Sequence, residues 1–277
     1  MRFSVRHETI YRYSAPVRLG GHVLRLTPRG DGTVLHGHDL VIDPMPVIRV
    51  AEHDAFGNPV TRLDFAGSTE LLRIESRFEL ETIAPTPGPG GAAAEVASLP
   101  WTADRRGAVA LFLEADDGDA TVAAFAAAVA ADGGWSAVSF LDRLTRTLHQ
   151  RTDLAIRPDG HAHTAAWTLA NARGACRDVT VLFLAAVRSL GMPARFVSGY
   201  QARAETPDGR RHLHAWPEVL IPGVGWRGYD PTHGVAVGDG HVALAAAPDQ
   251  RGTMPVEGGF WGDGVTSTLD HTVEIEA

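Results

Sequence analysis

"NARGACRDVTVLFLAAVRSLGMPARF", Asn171 to Phe196, contains the chain's only cysteine and sets the reading of everything around it. Val179, Leu182, Phe183, Ala186, Val187 and Leu190 recur at three- and four-residue spacing, which predicts an amphipathic helix. Gly191 and Pro193 stop it, a C-terminal glycine followed by a residue that cannot continue the helix. Cys176 falls in the first turn, off the apolar stripe. Packing is the commonest role of a free cysteine, but a packing cysteine belongs more naturally on the stripe. In the first turn, backbone N–H groups without helical partners and the helix dipole favour a thiolate, and so a nucleophile near neutral pH. Gly174 and Ala175 leave the approach to sulfur uncluttered. Asp178 reads first as charge complementation at a helix start.

A thiol nucleophile needs a base and a third group to orient that base. "RRHLHAWPEVLIPGVGWRGYDPTHG", Arg210 to Gly234, supplies both. In a strand starting at His212, the residues His212, His214, Trp216 and Glu218 share one face, and Leu213, Ala215 and Val219 share the other. After the "PGVG" turn, Trp226, Gly228 and Asp230 share a face, so antiparallel pairing brings His214 beside Asp230. Pro231 pushes Asp230 towards an extended conformation and ends the strand. Pro217 predicts an edge or a local break. The chain order Cys, His, Asp is that of papain-like thiol enzymes, with the aspartate orienting.

Upstream the pattern is β. Phe3 to Tyr13 and Val17 to Thr27 alternate, with "APV" and "LGG" as turn material, and "DAFGNP" (Asp54 to Pro59) is a hairpin-like turn. "TELLRIESRFELETI" is the cleanest strand: Leu72, Ile74, Phe78 and Leu80 lie on one face and Arg73, Glu75, Arg77, Glu79 and Glu81 on the other. The Pro/Gly/Ala-rich run 84–97 reads as a linker between a domain at 1–83 and a second at 98–277. Helices are expected at Gly107 to Glu114, Thr121 to Ala131 and Ala137 to Gln150, and strands at Ala194 to Gln201 and His271 to Glu276.

A chain of 277 residues with 44% apolar and 21% charged content is long and apolar enough for real cores. A formal charge of −8 argues against nucleic-acid and anionic-membrane partners, which need basic patches. No apolar run reaches the length of a membrane span, and the N-terminus lacks the apolar core of a signal peptide. A single cysteine makes no intrachain disulfide, so a cytoplasmic location is expected. No P-loop or dinucleotide fingerprint follows a strand, so no cofactor is expected. The histidine pairs His36/His38, His161/His163 and His212/His214 offer zinc ligands. With no HExxH motif and no second cysteine beside them, no metal is expected either.

"GACRDVTVLFLAAVRSLGMPARFVSGY", "HAWPEV" and "GWRGYDPTHG" resemble the three signature blocks of the transglutaminase-like cysteine enzyme superfamily. "LRLTPRG", "DAFGNPV" and "PVEGGFWGDG" resemble the bacterial branch with an N-terminal β domain. The resemblance implies an α+β fold: a β-sandwich-like domain, then a papain-like core of helices on an antiparallel sheet. It implies Cys176 as nucleophile, His214 as base and Asp230 as orienter, acting on a peptide or protein amide through a thioester. Hydrolysis and transfer to an amine both remain open. So does a binding module that keeps the fold without turnover. For the oxyanion, Trp167, Asn171 and the backbone N–H of Cys176 are the candidates.

Overall fold

The computed structural model describes residues 1–83, 98–101, 107–114, 119–157, 160–202 and 208–277. The expected linker, 84–97, lies outside the described residues. The first six strands are β1 (Arg2–Leu19), β2 (His22–Leu24), β3 (Thr33–Asp43), β4 (Ile48–His53), β5 (Pro59–Asp64) and β6 (Thr69–Thr82). They contribute to two antiparallel sheets, one with the order β1-β6-β3 and one with β2-β5-β4. The period-2 pattern of β6 is realised, with Leu72, Ile74, Phe78 and Leu80 buried. Glu75 departs from it: this carboxylate is buried beneath Arg6, Arg73 and Arg77, which pair with it at 2.8, 2.6 and 2.7 Å.

The expected turn at "APV" is absent, because β1 runs unbroken from Arg2 to Leu19. Its ladder to β6 shifts register between Arg12 and Val17. A bulge there accommodates Pro16, which has no N–H to give the ladder.

The helices are α1 (Ala120–Asp132), α2 (Ala137–Arg151), α3 (Ala165–Asn171) and α4 (Cys176–Ser189), with a 3-10 segment at Gly107–Leu113. Asp119, Ser136 and Thr164 cap the first three by accepting backbone N–H bonds. The remaining strands are β7 (Asp153–Leu154), β8 (Arg173–Gly174), β9 (Ala194–Gln201), β10 (His214–Ile221), β11 (Gly225–Asp230), β12 (Val235–Ala236), β13 (His241–Ala247), β14 (Val256–Glu257), β15 (Phe260–Trp261) and β16 (Ser267–Glu276). A five-stranded antiparallel sheet has the order β12-β11-β10-β9-β13. The stripe of α4 packs Val179, Leu182, Phe183, Ala186 and Val187 into a core with Phe140, Leu141 and Leu144 of α2 and Ala215, Val219 and Ile221 of β10. The cysteine helix is therefore the central helix of this half. Among the described residues no helix is long and apolar enough to cross a membrane.

The tail crosses back to the first sheets. β16 pairs with β1 from Ser4↔Glu276 to Tyr13↔Ser267, β15 pairs with the end of β1, and β14 pairs with β2. The sequence reading put 98–277 in one unit, whereas these ladders place 256–276 with the N-terminal strands. The edges of β1 and β2 carry unsatisfied backbone groups, and the tail strands cover them. The two halves also share apolar core, because Tyr200, Ala202, Val242 and Leu244 pack with Phe3, Val5, Leu72 and Phe78. Across that seam the buried His7 Nδ1 meets the Tyr200 hydroxyl at 2.7 Å.

Gly199 marks the tightest point of the central sheet. It sits opposite His214 on β10 and Ala243 on β13, and a Cβ built there would lie 2.0 Å from the Val242 carbonyl oxygen and 2.7 Å from the Trp216 ring. Gly199→Ala is expected to destabilise the fold by about 3 kcal/mol, the upper range for overpacking a core. A urea titration would measure it, and a midpoint unchanged from wild type would contradict this packing.

Candidate active site

The site begins where α4 begins. Its N-cap is Ala175, which has no side-chain acceptor, so Asp178 three residues on closes the turn by accepting the Ala175 N–H at 2.7 Å. The same carboxylate is fully buried and also accepts from Arg157 and the His163 N–H, all at 2.7 Å. Burial alone would raise the Asp178 pKa, but the hydrogen bonds from Arg157, His163 and Ala175 hold it below the usual carboxylate range. The helix-start role expected of Asp178 is present, and the residue additionally ties Arg157 and His163 to the helix.

Cys176 is half-buried at the first helical position. Burial pushes its thiol up. The hydrogen bond and charge of His214, the Ala215 N–H and the charge of Arg177 outweigh that and hold it below an ordinary thiol.

His214 opens β10, and its Nε2 lies 2.8 Å from Asp230 Oδ2, which leaves Nδ1 for the thiol. Burial disfavours the imidazolium, yet the Asp230 charge and hydrogen bond, with Cys176 behind them, push its pKa up to about 10. The face assignment for β10 is realised: Ala215, Val219 and Ile221 turn to the α4 core, while Trp216, on the face of His214 with ring centroids 5.9 Å apart, is buried against Val197 and Ala246. The strand begins at His214 rather than His212, and His212 instead meets Asp208 at 2.8 Å.

Pro217 helps explain how Asp230 reaches His214. The ladder to β9 runs straight through it, Pro217↔Phe196, so β10 is an interior strand rather than the edge its proline suggested. The ladder to β11 starts only at Glu218↔Gly228. The missing N–H of Pro217 coincides with the place where β10 and β11 separate. The end of β11, Tyr229 and Asp230, then pairs with β12 instead.

Asp230 is wholly buried, and its pKa is held well below the usual range. Burial opposes this, and the charge and hydrogen bond of His214, with the hydrogen bonds of His233 and His241, overcome it. Besides His214, His233 Nδ1 reaches Oδ2 at 2.7 Å and His241 Nε2 at 3.0 Å. The backbone N–H groups of Thr232 and His233 donate to Oδ1 at 3.1 and 3.2 Å. His233 and His241 are absent from the sequence reading. The only local signal was the "THG" that follows Asp230; His241 lies a loop away on β13.

Because the His214 pKa is raised above its unfolded value, its contribution to stability is complete below about pH 6.5 and is lost as pH rises towards 10. The depressed Asp230 works the other way, its contribution being present above about pH 4 and lost in acid. Cys176, held below an ordinary thiol, gives up on folding the proton that His214 takes up, so the two offset between about pH 6.5 and 8.5. Wild-type melting temperature is therefore expected to fall only above about pH 8.5, towards 10, and His214→Phe should remove that fall. Melts at several pH values would test this, and parallel curves for the two proteins would contradict it.

Cys176 and His214 line a cleft of about 430 Å³. One wall comes from the first sheet and the tail (His7, Thr9, Tyr11, Leu269 and His271), and another from Gln250, Thr253 and Met254. The N-terminal strands thus build part of the cleft itself, beyond shaping access to it. Trp167 and Asn171 are elsewhere, both exposed, the indole lying against His163 and the amide donating to the Trp167 carbonyl at 2.8 Å. Neither lines the cleft, so of the three oxyanion candidates the backbone N–H of Cys176 is the one at the site. Of the paired histidines, His36 is exposed and His38 bonds Ser76 at 3.1 Å. His214, Asp230 and His241 do cluster closely enough for a shared ion. Here, however, the His241 Nδ1 accepts the Gly238 N–H, so its Nε2 carries the proton donated to Asp230.

Comparison with known proteins agrees with this fold. Residues 3–81 match the bacterial transglutaminase-like N-terminal region, and residues 123–231 match the transglutaminase-like superfamily. Uncharacterized protein ML0607 of Mycobacterium leprae is 28% identical over 288 residues, covering 99% of this chain and 98% of its own. Uncharacterized protein Rv2569c of Mycobacterium tuberculosis is 28% identical over 301 residues, covering 99% and 92%. A candidate cysteine protease from Cytophaga hutchinsonii superposes with a TM-score of 0.74 at 20% identity, over 100% of this chain and 90% of its own, which shows a shared fold. With both regions in this order along one chain, the protein belongs to the transglutaminase-like superfamily, in the group that carries the bacterial N-terminal region.

Proposed function

We propose that this protein is a cysteine-dependent acyl-transfer enzyme that opens amide bonds through a thioester. One observation carries the reading: a first-turn thiol lies against an imidazole that is itself held by a buried carboxylate, all beside an open cleft. The thiolate–imidazolium pair is the resting form, favoured by the opposite pKa shifts of Cys176 and His214.

Cys176 Sγ adds to the amide carbonyl carbon, and the C=O electron pair moves onto oxygen, where the Cys176 N–H at the helix start stabilises it. Collapse breaks the C–N bond as the His214 imidazolium gives its proton to the departing amine. Water or a second amine then attacks the thioester carbonyl, neutral His214 takes its proton, and sulfur leaves as thiolate. Asp230 keeps the His214 proton on Nε2 in the neutral form, so that Nδ1 faces sulfur and substrate.

The substrate is a peptide or protein amide, and the compartment is the reducing cytoplasm, where a lone catalytic thiol survives. Incubating wild type and Cys176→Ala in parallel with an amide-bond library tests the reading. Products formed only by wild type support it, and their identity separates hydrolysis from transfer. No product from any substrate would overturn it in favour of a binding module. Chelators should leave turnover unchanged, since a thiol–imidazole pair needs no Lewis acid.

A further inference from the structure

Asp230 carries three imidazoles where an acyl-transfer site needs one. The second, His241, is buried, and its ring is fixed by the Gly238 N–H at one nitrogen and Asp230 at the other. The third, His233, is different. Its side chain is 21% exposed and lines the cleft, while its Nδ1 lies 2.7 Å from Asp230 Oδ2. With that nitrogen donating to a carboxylate, the ring stands beside His214, centroids 5.0 Å apart. Asp230 has no exposed surface even though the cleft lies beside it, and His233 is in contact with both.

The attraction between Asp230 and His214 scales inversely with the local dielectric, so water on Oδ2 would weaken the bond that keeps the imidazolium charged. We propose that His233 is a positioning residue: it holds Oδ2 onto His214 and keeps cleft water from that oxygen, so that the thiolate–imidazolium pair persists at neutral pH. The inference rests on the acyl-transfer reading above. The other titratable groups around His233 are Cys176 and Arg177 on α4, His214 on β10, Asp230 on β11, His241 on β13, and His149 on α2. His149 Nδ1 meets the Thr232 carbonyl at 2.9 Å, and its ring packs against Gly234.

The test uses the full chain with His233→Ala and His233→Asn. Iodoacetamide alkylation of Cys176 is followed against pH, beside a thermal melt. His233→Ala should move the alkylation midpoint up by about one pH unit, a tenfold lower rate below the midpoint. His233→Asn, whose amide N–H can stand near the lost Nδ1–H, should recover most of that shift. A folded His233→Ala with the wild-type midpoint, or an asparagine variant no better than alanine, would overturn the proposal and leave His233 a packing residue. Should the alanine variant fail to fold, His233→Gln, which keeps volume but misplaces the donor, is read in the same way. A wild-type midpoint at the ordinary thiol value of about 8.5 would instead sink the acyl-transfer reading itself.

Discussion

Cys176→Ala is expected to lower amide turnover by about 10⁴-fold or more, and His214→Ala by a comparable factor, because nucleophile and base act as a unit. The expectation comes from the geometry of the pair. The Cys176 thiol is held below its usual range chiefly through His214, and His214 is raised to about 10 by Asp230 with Cys176 behind it. Removing either partner therefore disables the other. Wild-type alkylation should already be fast at neutral pH and should decline only in acid, as the thiolate protonates. In His214→Ala the thiol keeps the burial that raises it and loses the partner that lowers it. Its alkylation should then rise only in the alkaline range. Cys176 is half-buried and α4 is anchored by a large apolar stripe, so Cys176→Ala should melt close to wild type. Equal alkylation profiles for wild type and His214→Ala would break the assignment of His214 as the thiol's partner.

Asp230→Ala should lose on two counts. Turnover is expected to fall by roughly 10² to 10⁴, less than for the nucleophile or base, since the orienter acts through tautomer and geometry. Stability should fall as well. Three ring nitrogens and two backbone N–H groups converge on this buried carboxylate, and deleting it strands donors in the interior. Each stranded donor costs about 1–3 kcal/mol unless water replaces the acceptor, so a total loss of several kcal/mol is expected. Denaturant titration of Asp230→Ala beside His214→Ala checks this, with the aspartate variant the less stable of the two. An Asp230→Ala protein as stable as wild type would mean that the three histidines do not depend on the carboxylate.

Much of this was legible in residue order, because the signals were local and periodic. The β6 alternation and the α4 stripe each bury one face, and a face is visible within a dozen residues. The thiol's first-turn position follows from the same stripe, and the His214–Asp230 approach follows from strand parity across a short turn. Where parity was the only guide, detail slipped. Pro217 predicts an edge or a local break; β10 lies between β9 and β11, so it is no edge. The break is on the β11 side alone, since a proline spoils only the side of the strand its N–H would have faced.

The sequence by itself determined the two folding patterns, the helix that carries Cys176 and the three residues that meet at the candidate site. Only the tertiary structure decided what surrounds them. The return of β16 to β1, the shared core through Tyr200 and Val242, the cleft wall from Thr9 and Tyr11, and the His233 and His241 bonds to Asp230 join residues distant in the chain or carried by different elements. Such contacts leave no periodic trace. They depend on which sheet edges and buried donors remain unsatisfied once the local elements have formed, and that is known only when the elements are packed.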